Sequence, residues 1–171
     1  MYTKGQEALL QAFYADIPAE CQPAYRGIVE QLGALGYLPR KEKANISFKH
    51  TQHNKQIAKM GVRTGKHPAP FFSLRFSGCQ AYSRRFADIV QEAIRKYPHK
   101  VAQCLEGKCG YCAGAPESHV YACTLPDGER KAHCGAYALP IPELAAQDVG
   151  EIRQLLQQEH AYLMAHEVGR A

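Results

Sequence analysis

Five of the seven cysteines of this chain fall between Cys104 and Cys134, spaced C-x4-C-x2-C-x10-C-x10-C. Thiols gathered so densely point to metal or redox chemistry. Zinc takes four ligands in a tetrahedron, and a C-x2-C turn supplies two of them from one tight knuckle. Cys109-Gly110-Tyr111-Cys112 is such a turn, and Gly135 after Cys134 can ease a second corner. We expect a structural Zn²⁺ held by Cys104, Cys109, Cys112 and Cys134.

The third and fourth ligands need an argument, because the second knuckle is only half present. Asp127-Gly128 reads as the centre of a two-residue hairpin turn. That centre sets Thr124 opposite Lys131 and Ala122 opposite His133. Tyr121, Cys123, Ala132 and Cys134 then share one face, with His133 on the other. Cys134 is therefore taken as the third ligand. The fourth place is open to Cys104, Cys123 or His119. Cys123 lies mid-strand, where a cysteine is often a small buried hydrophobe. Cys104 lies in a glycine-bearing loop that can fold back on the knuckle, and it is favoured.

Other chemistries were weighed against zinc. Cys109 and Cys112 have the spacing of a disulfide-exchange pair, but that chemistry places the first thiol at a helix N-terminus. Ala113-Gly-Ala-Pro-Glu117 is a poor helix start. Ser77-x-x-Gln80 has the form of a capping box, which puts Cys79 in the first turn of a helix beside Arg84 and Arg85. The dipole there favours a thiolate, so a thiol enzyme acting through Cys79 or Cys109 is the alternative reading. A packed cysteine explains Cys79 more simply. His50 and His53 flank a turn, and two histidines alone do not make a metal site. His160 and His166 do not stack on one helix face. Arg130-Lys131 offers charge to phosphate and makes nucleic-acid binding a second alternative, without the aromatic interleaving of a single-strand binder.

These residues need a scaffold. At 171 residues the chain is expected to be one domain, 1–171, with 99–142 as a zinc-binding hairpin insert. The formal charge of +5 permits a nucleic acid partner without demanding one. No apolar run approaches the roughly 18 residues of a membrane span, and the first residues lack the apolar stretch of a secretory signal. A cytoplasmic location is expected. Thiols stay reduced there, and an odd cysteine count argues against a full disulfide framework.

The predicted elements follow from periodicity. Thr3-x-x-Gln6 caps a first helix bearing Leu9, Leu10 and Phe13. Pro23 opens a second, with Tyr25, Ile28, Val29, Leu32 and Leu35 at helical spacing and Gly36 at its end. Arg40, Lys41 and Lys43 read as a solvated basic run. Ile46 and Phe48, then Ala58, Met60 and Val62, then Phe72, Leu74 and Phe76 alternate as three strands of an antiparallel meander. Phe71 and Arg75 fall on its other face. A third helix carries the stripe Tyr82, Phe86, Ile89, Val90, Ala93, Ile94 and Tyr97. Asp148-x-x-Glu151 caps a last helix with Val149, Ile152, Leu155, Leu156 and Leu163 on one face. The expected fold is α+β: a three-stranded antiparallel meander packed on helices, a zinc-ribbon-like cysteine hairpin and a C-terminal helix.

Two resemblances rest on these residues. Leu35-Gly-Tyr-Leu-Pro39 through Ile46-Ser-Phe-Lys49 resembles the helix-to-strand passage of the YdhG-like family. Phe72-Ser-Leu-Arg-Phe76, Tyr82-Ser-Arg-Arg-Phe86 and the Cys109…Cys134-Gly135 pattern together resemble an uncharacterised group of small bacterial cysteine-rich, zinc-binding proteins. The second likeness spans most of 35–165. It implies a bacterial cytoplasmic protein with a metal site and brings no assigned activity. The expected function is a zinc-stabilised module that binds a protein or small-molecule partner and has no catalytic residues of its own.

Overall fold

The computed structural model describes residues 2–112 and 114–167. The chain is α+β and divides into two compact units. One is the chain up to Leu74 together with Pro140–Gln157; the other is Arg75–Leu139 together with the chain from Gln158 on.

In the first unit, helices α1 (Lys4–Ala15) and α2 (Gln22–Ala34) precede an antiparallel meander. Thr3 caps α1 as its sequence predicts: its hydroxyl accepts the Gln6 N–H, and the Gln6 side chain accepts the Thr3 N–H. The meander runs β1 (Tyr37–Glu42), β2 (Asn45–His50), β3 (Gln56–Arg63), β4 (Ala69–Leu74). Its register sets Ile46 against Met60 and Met60 against Phe72, and it sets Phe48 against Ala58 and Ala58 against Leu74. All six are buried. These are the alternating apolar residues of the sequence, now in two rows across the sheet. The Tyr25 ring meets the Phe72 ring edge-on at 6.4 Å and the Phe13 ring at 5.2 Å, tying both helices to that face.

The sheet has five strands, not three. β7 (Leu139–Ile141) lies beside β4, and β1 adds the opposite edge. The sequence hid β1 because Pro39 reads as a breaker. On an edge strand a proline nitrogen facing outward costs no ladder bond. Arg40 and Lys41 stay exposed, but as edge-strand residues, and charge on an edge also discourages sheet-to-sheet pairing.

In the second unit, α3 (Arg84–Lys96) begins after Ser83, not after Ser77. Ser77 is buried and its hydroxyl serves Glu159 of α4 (Val149–Glu167), so Ser77 and Gly78 form a turn and 79–83 an irregular lead-in, not a first helical turn. The α3 stripe Phe86, Ile89, Val90, Ala93 and Ile94 is buried as expected. It lies against the hairpin of β5 (Tyr121–Thr124) and β6 (Arg130–His133). Phe76 is not a strand residue: it sits where the rings of Tyr82, Phe86 and Tyr121 meet it edge-on at 5.1–5.5 Å.

The last helix starts directly after Asp148, whose carboxylate accepts the Ala145 N–H and so closes the preceding 3-10 turn, Ala146–Asp148. Among the described residues, no helix is long and apolar enough to cross a membrane.

Candidate metal centre

The hairpin fixes where the cysteines fall, and its register differs from the sequence reading by one residue. Tyr121 opposes His133, Ala122 opposes Ala132, Cys123 opposes Lys131 and Thr124 opposes Arg130. The cause is Pro126. A proline is preset for the second position of a type I turn, so Leu125–Gly128 forms the turn, with Gly128 N–H to the Leu125 carbonyl at 2.9 Å. Gly128 then takes the left-handed conformation, φ 83°, and the Leu125 N–H reaches the Glu129 carbonyl at 2.9 Å. This is the three-residue loop with a glycine bulge. His133 therefore shares a face with Tyr121 and Cys123, and Cys134 lies just past the strand.

A short backbone pairing brings the rest of the stretch to Cys134. The Ala102 N–H donates to the Ala132 carbonyl at 3.2 Å, Val101 bridges His133, and the Cys134 N–H donates to the Lys100 carbonyl at 2.9 Å. Chain 100–102 thus lines the outer edge of β6. Cys104 follows at once, on the 3-10 turn Gln103–Glu106, which Gly107 ends at φ 69°. Two cysteines 30 positions apart are carried to one corner by three residues of pairing.

The Cys104 thiol is pushed up, first by burial, then by the charge of Cys134, and further by that of Cys112. Two of the other expected ligands, Cys134 and Cys112, therefore each lie within electrostatic reach of Cys104. Each is half-buried. Mutual repulsion of thiolates is what a divalent cation relieves. Cys109 differs. It is exposed, and its Sγ accepts the Tyr111 N–H at 3.5 Å. Among the described residues, no three His, Cys, Asp or Glu side chains stand close enough together to hold an ion. The hairpin is present; a closed zinc-ribbon tetrahedron is not.

Cys123 lies apart from that corner. It faces Lys131 across the hairpin, and together with Cys79 it acts on Tyr82. Cys79 itself is five residues ahead of α3, so no first-turn dipole acts on it. Burial pushes its thiol up to about 12, the opposite of the activated thiolate considered for it.

Two histidines flank the corner. The His133 Nδ1 lies 3.0 Å from the Cys134 carbonyl, which can only accept, so this nitrogen carries the proton. His119 follows the turn Pro116–Ser118 and is 1% exposed. Among the described residues its ring nitrogens meet no partner at full hydrogen-bond geometry, although the Ala115 carbonyl is within reach of the ring. Burial holds its pKa below the usual histidine value, with Arg75 and His166 acting in the same direction and the Ala115 carbonyl opposing. A Cβ on Gly135 would run into the His119 carbonyl and come within 2.6 Å of the Ser77 Cβ, so only glycine fits between Cys134 and this segment.

Beneath lies a buried polar group that sequence reasoning missed. The Arg75 Nε stands 2.7 Å from the Glu159 carboxylate, at 3% and 0% side-chain exposure. Glu159 also accepts the Gly78 N–H at 2.6 Å and the Ser77 hydroxyl at 3.4 Å. Burial raises the Glu159 pKa, while Arg75 and these donors pull it down. One signal was available: Glu159 sits in the apolar stripe of Leu155, Leu156 and Leu163, and a carboxylate in such a stripe needs a cation. Arg75 was assigned instead to the outer face of a strand that ends one residue earlier.

Comparison with protein-family models, with curated proteins and with solved structures finds no match for this chain.

Proposed function

We propose that this chain is a zinc-stabilised module that binds a partner and does not catalyse, its Zn²⁺ gathered by cysteines of the 104–134 stretch, Cys104, Cys112 and Cys134 foremost. The observation that carries the reading is the pairing of 100–102 with β6, which sets Cys104 beside Cys134 within reach of Cys112. A divalent cation shared by cysteines of one corner would offset the repulsion that their thiolates would otherwise meet. The raised Cys79 thiol speaks against Cys79 as a nucleophile.

The second unit also offers a binding surface. A cavity of about 1160 Å³ opens beside α3 and β6, with apolar lining from Ile94, Ala102, Leu105 and Leu125 and charge of both signs, from Lys100 and Lys131 and from Glu92 and Glu129 among others. Its mixed lining suits a small molecule or a peptide segment.

Elemental analysis of the purified chain tests the reading. About one zinc per chain is expected, and a chelator should remove it and loosen the hairpin and α3 together, because metal binding here is folding free energy. Metal-free protein whose stability does not change when zinc is added would refute it.

A further inference from the structure

We propose that the solvent face of the β1–β4 sheet docks single-stranded RNA, with Phe71 as a platform for a base and Arg40, Lys49 and Arg63 as phosphate contacts. This names a partner for the binding module proposed above and rests on that reading, though not on its zinc.

The charge of the chain is unevenly placed. Residues 37–74 hold eight of the 21 lysines and arginines and one of the 16 acids, Glu42. The rest of the chain is slightly acidic, so the excess of +5 belongs to this sheet. Glu42 reaches Lys59 at 3.8 Å, and the segment has no second acid for its other cations. A surface field of one sign attracts a polyanion.

The register divides the side chains between two faces. Ile46, Met60 and Phe72 turn toward the helices, where Tyr25 meets Phe72. The alternate residues make the other face. Arg40, Ser47, Lys59 and Ser73 form one row across the four strands, and Glu42, Asn45, Gly61 and Phe71 form the next. Arg40 and Arg63 are exposed, Lys49 and Phe71 are half-buried, and the Lys59 and Glu42 side chains are 34% and 44% exposed. This face therefore meets solvent.

Its layout fits a nucleic-acid strand. A Cβ on Gly61 would come within 2.9 Å of the Phe71 ring and 2.6 Å of the Asn45 side-chain oxygen, so the ring leans across β3 where a larger residue would lift it. The Arg63 guanidinium stands 5.8 Å from the ring centre. Phe71, Asn45 and Ser73 make a neutral centre, with Lys49 toward one end, Arg63 toward the other and Arg40 on the edge strand. Bases stack on an aromatic face while cations track the backbone. A four-stranded sheet can display two or three bases in this manner. A flat face offers nothing to enter the groove of a duplex, and stacking on a side chain needs an unpaired base. Asn45 and Ser73 each carry donor and acceptor capacity, which suits the ribose 2′-hydroxyl and favours RNA over DNA. An acidic protein or a membrane would use the cations and leave the ring and the amide idle.

Fluorescence anisotropy of a labelled single-stranded RNA of about 12 nucleotides, titrated with the full chain at several salt concentrations, tests this. Affinity should fall with salt, with a logarithmic slope of about −2 for three phosphate contacts. Lys49→Gln and Arg63→Gln should each flatten that slope by about 0.7. Phe71→Leu should weaken binding roughly tenfold at unchanged slope, the worth of one base stack. Arg130→Gln/Lys131→Gln on the hairpin should change neither. Binding lost in the hairpin variant and kept in the sheet variants would overturn the assignment. So would equal affinity for DNA of the same sequence, for duplex RNA or for anionic vesicles. Should Phe71→Leu not fold, the Lys49 and Arg63 variants decide alone, and an unchanged slope in both refutes the sheet face. Zinc content is measured on the same sample. A zinc-loaded chain that ignores RNA refutes this inference alone, and a chain that binds RNA without zinc refutes the zinc alone.

Discussion

Replacing Glu159 with leucine should destabilise the second unit severely, and replacing its partner as well should recover much of the loss. Glu159 is fully buried and Arg75 nearly so, 2.7 Å apart. Removing the carboxylate strands a guanidinium that cannot shed its proton. Breaking a buried pair from one side costs roughly 3–5 kcal/mol. For a chain of this length each kcal/mol moves the midpoint by about 2–4 °C, so Glu159→Leu should melt roughly 6–20 °C lower. The double variant Arg75→Met/Glu159→Leu leaves no buried charge. It still strips the Gly78 N–H and the Ser77 hydroxyl of their acceptor. A lost partner of that kind costs roughly 1–3 kcal/mol, so the double variant should fall between the single variant and the parent. Thermal unfolding by circular dichroism, with both single variants and the double, closes the cycle. A Glu159→Leu midpoint within about 2 °C of the parent, or a double variant no better than the single, would refute the claim that this pair is buried and coupled.

A second expectation concerns pH. The His50 ring is buried, stacks on His53 at 4.2 Å and accepts the Gln52 N–H on Nδ1 at 3.2 Å, with Lys55 next to this turn also donating its N–H to His53. Burial lowers the His50 pKa while the Leu35 carbonyl opposes, so the folded state keeps it neutral. The unfolded chain takes up the proton first as pH falls through about 6.5. Its contribution is therefore present above that pH and lost below it as the folded pKa is approached. Urea midpoints at pH 7.5 and 5 should converge in His50→Gln relative to the parent; parallel falls would contradict this. A third expectation concerns Tyr121, whose hydroxyl takes the Phe76 N–H and donates to the Tyr137 carbonyl, each at 3.0 Å. Tyr121→Phe should cost about 1–3 kcal/mol in denaturant unfolding, and an unchanged midpoint would show that water replaces the hydroxyl.

What the sequence determined by itself was whatever repeats locally. The Thr3 capping box, the middle of the α2 and α3 stripes and the six alternating residues of β2, β3 and β4 are set by side chains a few positions apart and stand where periodicity put them, whereas Leu35, Tyr82 and Tyr97 at the ends of those stripes fall outside the helices. The tertiary structure decided what depends on partners far away in the chain. Pro39 joins a strand only because that strand has a free edge. Ser77 leaves its capping role because Glu159 arrives from α4. The hairpin register turned on one residue, Pro126 entering the turn, and a slip of one moves His133 to the other face. Cys104 is carried toward Cys134 because 100–102 pairs with β6, a few backbone hydrogen bonds that no side-chain pattern announces. Periodicity is written in neighbours, whereas burial of a charge or gathering of thiols depends on which distant segments desolvate each other, and that is settled only when the chain has folded.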